Sequence, residues 1–292
     1  MKIGYPCTNL SIGCSSNKKF RLANFSIDKF SETVKNNLDC LNQIIDYNIK
    51  NNFLFLRISS ETIPFASHKI CNIDWKTKFR NELKCIGKKL QKNNFRVSMH
   101  PGQFTLLNSP NENVVEKSLA ELKYHADFLD AMALDNSAKI QIHVGGVYGN
   151  KDRAIKRFVN TFKVMSNKIK SRLVIENDDY HYSIGDCMKI NNYTNIPIIL
   201  DNLHLECLND GESLIEAYQM IKNTWYGEHG IPMLDYSSQQ EGARIGKHTD
   251  RLNQEHFSNF INIMKNEEFD LMFEIKDKEK SVRKAQEIVF RH

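Results

Sequence analysis

The chain has 292 residues, 41% of them hydrophobic and 26% charged, and its 40 basic against 35 acidic side chains leave a formal charge of +5. That size and apolar content support one large buried core, expected as a single domain over 1–292, because no Ser/Gly/Pro-rich or like-charged stretch marks a linker. No run approaches the roughly 18 apolar residues of a membrane span, and the opening MKIGYP has no apolar leader segment, so neither membrane insertion nor secretion is expected. The mild positive charge permits a polyanionic partner without arguing for one.

Strand-like runs and helical periodicity alternate along the chain. A strand over 2–5 (KIGY) precedes a helix over 26–50, a strand over 53–58 (FLFLRI) precedes a helix over 75–92, and a strand over 95–99 (FRVSM) precedes a helix over 111–134. Next come a strand over 139–143 (KIQIH), a helix over 151–170, strands over 172–176 (RLVIE) and 197–201 (PIILD), and a helix over 212–223. A strand over 231–236 (IPMLDY), a helix over 253–266, a strand over 270–274 (DLMFE) and a helix over 276–290 complete the series. Eight strands alternating with helices in this length predict an α/β fold of the (β/α)8 TIM-barrel type, since each parallel step needs a crossover. The competing open doubly wound sheet lacks its phosphate-binding signatures: Gly145, Gly146 and Gly149 form only a GGxxG fragment, and no GxxxxGK[ST] occurs.

In a barrel the loops after the strands' C-terminal ends carry the chemistry. His68, His100, His143, Glu176, Asp201, His204, Asp235, His248 and Glu274 all fall at or just past those ends. Any one of them alone is an ordinary cap or loop residue. Four carboxylates and five imidazoles around one mouth are different, because burying them together demands cations. Mixed nitrogen and oxygen donors without thiolate suit Mn2+, Zn2+, Fe2+ or Co2+, and closely spaced ions suit hydrolysis of a phosphate ester. His125, His181, His229, His256 and His292 are expected to be structural.

The seven cysteines, Cys7, Cys14, Cys40, Cys71, Cys85, Cys187 and Cys207, are odd in number and include no CxxC pair. Free thiols in a reducing, cytoplasmic compartment are the expectation, and Cys7 and Cys14, near the barrel mouth, have no paired base nearby for nucleophilic catalysis.

The segments GYPCTNL (4–10), IPFASH (63–68), MHPGQF (99–104), HVGGVYGNK (143–151), IENDD (175–179), LDNLH (200–204), DYSSQ (235–239) and EIKDKE (274–279) together resemble the UV damage endonucleases. That family is similar in fold and metal centre to the endonuclease IV group of abasic-site nucleases, and it nicks DNA on the 5′ side of pyrimidine dimers and other lesions, typically with Mn2+. The resemblance implies metal roles for His100, His143, Glu176, Asp201, His204, His248 and Glu274, with Glu176 bridging. It implies that His68 and Lys276 approach the scissile phosphate, that Tyr5 and Asn9 line a lesion pocket, and that Gln103 and Phe104 form a wedge entering the duplex. Family members commonly carry Lys-x-His on the seventh strand, where this chain has Met233-Leu234-Asp235. Residues 233 and 235 share the inward face, so Met233 excludes a carboxylated lysine and Asp235 is expected as a ligand that adds one negative charge.

The resulting expectation is a monomeric endonuclease on damaged double-stranded DNA with two or three divalent ions, Mn2+ first and Zn2+ or Co2+ as alternatives. An abasic-site nuclease, a divalent-metal sugar isomerase and a non-catalytic damage-binding protein are the competing readings.

Overall fold

The computed structural model describes residues 1–290; His292 lies outside them. Eight parallel strands, β1 (Ile3–Pro6), β2 (Phe55–Ile58), β3 (Arg96–Met99), β4 (Lys139–His143), β5 (Leu173–Glu176), β6 (Ile198–Asp201), β7 (Met233–Tyr236) and β8 (Asp270–Phe273), pair in sequence order. The sheet closes through Ile3 opposite Leu271, so no edge is left exposed. Helices sheath the outside: α1 (Ile27–Asn51), α2 (Trp75–Lys78), α3 (Arg80–Lys92), α4 (Glu112–Ala131), α5 (Lys151–Val164), α6 (Asn167–Lys170), α7 (Ile184–Thr194), α8 (Asn202–Cys207), α9 (Leu214–Lys222), α10 (Gln254–Met264) and α11 (Glu279–Val289). Among the described residues no helix is long and apolar enough to cross a membrane.

Strands covered on both faces read as short continuous apolar runs, which is why the pattern found all eight. The helices follow from amphipathic spacing and capping. In α1, the Ser26 hydroxyl accepts from the Lys29 amide at the start, and Phe30, Val34, Leu38, Leu41 and Ile45 bury one stripe. Each such side chain contributes about 1.5–3 kcal/mol on leaving water. Asn52, in the left-handed region at φ 57°, ends the helix.

The expected helix over 75–92 is broken at Phe79 (φ −109°, ψ 24°), and that over 151–170 at Met165, where ψ of 155° is extended. Helix α7 was absent from the expected elements. Its Asn191, Asn192 and Thr194 are weak helix formers, and the Ser183 cap together with buried Ile184, Cys187 and Ile190 holds it. Gly87 in α3 lies against the Met132 carbonyl, where a Cβ would come within 1.8 Å, so only glycine lets the two segments approach this closely.

The expectation of seven free thiols is corrected. Cys14, in the loop after β1, is bonded to Cys40 of α1, with Cα atoms 5.8 Å apart. Nothing local signals this pairing, because it arises when the loop folds back over α1. There the Lys18 amide donates to Asn37 Oδ1 and Asn37 Nδ2 donates to the Lys18 carbonyl, both at 2.9 Å. Cys7, Cys71, Cys85, Cys187 and Cys207 are free.

A polar plug seals the strands' N-terminal end. Fully buried Lys139, opening β4, donates to the Ser171 carbonyl at 2.9 Å and lies 2.6 Å from His229 Nδ1, while Arg96, opening β3, donates to the carbonyls of His229 and Ile231. Burial, reinforced by Arg96, lowers the Lys139 pKa to about 7, and burial with Lys139 lowers that of His229 to about 4. Lys139 holds its proton less tightly folded than unfolded. The unfolded chain is therefore the better proton binder between about 7 and the ordinary 10.5, and raising the pH through that window favours the fold. Wild type is expected to gain stability over Lys139→Met between about pH 7 and 10 in urea unfolding. Parallel stability curves would show that Lys139 stays charged in the fold.

Candidate metal centre

Strand alternation sends Lys139, Gln141 and His143 of β4 to the same inward face, so this strand lines the interior with polar groups from plug to mouth. At the opposite end the expected donors converge. His100, His143 and Glu176 form one group and Asp201, His204 and His248 a second, the donor atoms within each lying within 4.8 Å of one another. The two groups adjoin, with the His143 and His204 ring centroids 5.8 Å apart.

Local structure aims these side chains. His100 Nδ1 donates to the Pro101 carbonyl at 2.9 Å, His204 Nδ1 to the Asn177 carbonyl at 2.9 Å and His248 Nδ1 to the Glu274 carbonyl at 2.8 Å. A carbonyl can only accept, so each of these rings carries its proton on Nδ1 and presents Nε2 to the site. His204 is further placed by α8, whose N-cap Asp201 accepts from the His204 amide through Oδ1 at 2.9 Å.

The other carboxylate oxygen of Asp201, Oδ2, is buried with no hydrogen-bond partner, as is His143 Nδ1. An orphaned anionic oxygen in a dry site is costly unless a cation meets it, so this donor set fits a divalent ion. Electrostatics agree. Burial raises the Asp201 carboxyl above the usual range. Burial would also raise Glu176, but His143 and His100 hold it well below that range. Burial pulls His143 down and Glu176 outweighs it, pushing the imidazole up to about 9. Without metal, an imidazolium supplies the positive charge that the carboxylate demands.

Two polar residues that sequence reasoning missed lie beneath the donors. Arg57 of β2 is fully buried, with its guanidinium on Asp235, Glu274 and Gln141, and Gln141 in turn donates to Glu176 and Asp235. Arg57 sat inside the run FLFLRI and read as a strand residue. Both phases of that run are apolar, so parity alone does not mark it as pointing inward.

The remaining expected residues are more dispersed. His68 is exposed in the loop after β2, its Nδ1 accepting from the Ile70 amide, and Lys276 is exposed after β8 and paired with Asp250. Tyr5 is fully buried, its hydroxyl donating to Asn48 of α1 at 2.6 Å and accepting from Asn9, which is itself buried. Neither offers surface to a ligand in this conformation. Phe104 is 80% exposed at the tip of the loop after β3, beside exposed Gln103. A cavity of about 780 Å³ lies against that loop, walled by Phe20, Phe65, His68, Phe104 and Tyr124.

The chain matches the UV-endonuclease UvdE family over residues 1–288. It belongs to that family. A UV DNA damage endonuclease of Clostridium perfringens is 42% identical over 98% of this chain and 70% of its own length, and one of Bacillus cereus strain Q1 is 31% identical over 96% and 91%. The crystal structure of SacUVDE superposes with a TM-score of 0.96 at 44% identity, covering 100% of this chain and 98% of that one. Endonuclease IV from Thermus thermophilus, at 11% identity over 87% of this chain and 95% of its own, has a TM-score of 0.62 and shares the fold.

In this UvdE-family chain, Asp201→Asn should weaken Mn2+ binding about tenfold or more by calorimetry. It should also raise the melting temperature in EDTA, because a buried carboxylate with one orphaned oxygen is replaced by a neutral amide that can keep the α8 cap. Unchanged affinity would remove Asp201 from the ligand set.

Proposed function

We propose that this protein is an intracellular, monomeric DNA repair endonuclease. In this reading it hydrolyses the phosphodiester on the 5′ side of UV photoproducts in double-stranded DNA, using two or three divalent ions, Mn2+ foremost. The observation that carries the reading is the pair of adjoining donor groups at the barrel mouth of a UvdE-family chain, with Phe104 exposed on the neighbouring loop. His100, His143, Glu176, Asp201, His204, His248 and Glu274 are the proposed ligands, with Glu176 shared between ions.

When bound, divalent ions supply an activated water and neutralise charge on the phosphate. The chain's own residues do the rest. Main-chain carbonyls hold three imidazoles in one tautomer. His68 and Lys276, both exposed near the mouth, are proposed to contact the phosphate, Lys276 exchanging Asp250 for the substrate. Tyr5 and Asn9 are proposed to shape the lesion pocket from beneath, and Gln103 and Phe104 to fill the gap left when the lesion leaves the stack.

The test is incubation of the Mn2+-loaded protein with labelled UV-irradiated, abasic and undamaged duplexes. Incision 5′ of the photoproduct is expected, and chelation should abolish it. Cutting of the abasic duplex alone would establish the endonuclease IV type of activity instead, and turnover of a free sugar with inert DNA would establish an isomerase.

An aromatic inserted into a duplex returns about 1–3 kcal/mol per stacked base, and 1.4 kcal/mol is tenfold in affinity. Phe104→Ala should therefore weaken binding to damaged duplex about tenfold with metal content unchanged, and Gln103→Ala should do so by less. Equal losses on the same lesion in single-stranded DNA would show that Phe104 supports its loop and does not act as a wedge.

A further inference from the structure

Arg57 is a charged side chain sealed inside the barrel, and its guanidinium is held by polar groups. Nη2 donates to both oxygens of Asp235, at 2.7 and 2.9 Å, and to Gln141 Oε1 at 2.7 Å; Nη1 donates to Glu274 Oε1, and Nε faces Ser98 Oγ at 3.4 Å. A buried guanidinium is tolerated only where anions compensate it, and here two carboxylates do.

Asp235 lies close enough to Glu176 and Asp201 to form a third donor group, with atoms within 4.8 Å, so distance alone would admit a further metal ion there. The state of the lone pairs separates the two aspartates. Asp201 keeps a buried oxygen with no partner, whereas both Asp235 oxygens accept from Arg57 and Oδ2 accepts from Gln141 as well. The free oxygen points to a missing cation, and the engaged ones already have theirs. Glu274 gives Oε1 to Arg57, while its Oε2 lies 3.6 Å from His248 Nδ1, on the side of the second donor group.

We propose that Arg57 is a fixed cation of the centre, standing in the corner where a third divalent ion would otherwise sit. The centre then loads two ions, one on His100 and His143 and one on Asp201, His204 and His248, with Glu176 shared between them and Glu274 beside the second, and Asp235 anchors Arg57 instead of ligating metal. Charge supports this count. Glu176, Asp201, Asp235 and Glu274 against one guanidinium and two divalent ions leave a single positive charge, matched to one phosphodiester, whereas a third ion would leave three. Arg57 is a positioning residue in this scheme: it holds Glu274 beside the second site and touches no substrate. The same pairing accounts for a carboxylate at 235, since the charge that Asp235 adds is the one Arg57 neutralises.

The proposal rests on the metal-dependent reading above, and the experiment separates the two. The full chain is stripped with EDTA, loaded with Mn2+, desalted and assayed for manganese per chain by mass spectrometry, beside nicking of UV-irradiated duplex. Wild type should hold two ions, and Asp235→Asn should still hold two. Arg57→Met should take up a third, because Asp235 and Glu274 are then uncompensated, and Arg57→Lys, which keeps the charge, should return the count to two. Three ions in wild type falling to two in Asp235→Asn would overturn the assignment of Arg57. If Arg57→Met fails to fold, the wild-type and Asp235→Asn counts decide alone. Two ions without nicking would support Arg57 and overturn the functional reading; three ions with nicking would do the reverse.

Discussion

Mutual repulsion among Glu176, Asp201, Asp235 and Glu274 governs the upper half of this molecule. Carboxylates brought together out of water cannot all remain ionised without compensation, and the barrel answers in three ways at once. A guanidinium from β2 rises among them from below, the imidazoles of His100 and His143 meet Glu176 from the side, and one oxygen, Asp201 Oδ2, is left without a hydrogen-bond partner. Closure of the sheet makes this possible, because only a closed barrel holds residues from eight strands at fixed mutual distance around one axis.

The two ends of the barrel handle buried charge differently. At the strands' N-terminal end burial lowers the proton affinity of Lys139, whose ammonium group meets the Ser171 carbonyl and His229. At the C-terminal end Arg57 and the imidazoles compensate the carboxylates within the protein, and the unpartnered Asp201 oxygen is what remains for a ligand. Stability and chemistry are thus separated along the barrel axis, as the fold class in general allows.

Much of this was legible in the sequence. Parallel strands buried on both faces are runs of Val, Ile, Leu and Phe, and such runs are visible at once. Residues just after them are active-site residues by topology, so His100, His143, Glu176, Asp201 and His204 stood out from position alone. What stayed hidden depends on tertiary juxtaposition. The Cys14–Cys40 bond needs a loop to fold back on α1, and Arg57 and Gln141 acquire meaning only when β2, β4, β7 and β8 face one another across the axis. Helix α7 was obscured by asparagines that local propensity disfavours and packing overrides. Tyr5 illustrates the opposite case, a residue singled out by resemblance whose hydroxyl the structure places against α1.

Three of the four imidazoles at the mouth are oriented by main-chain carbonyls, those of Pro101, Asn177 and Glu274. Ring direction is therefore written into the path of the backbone. Three Nε2 atoms are thus aimed before any ion arrives, and a divalent ion would not have to turn them. Selection among ions would then fall to which of them accepts the donor directions already set by the loops.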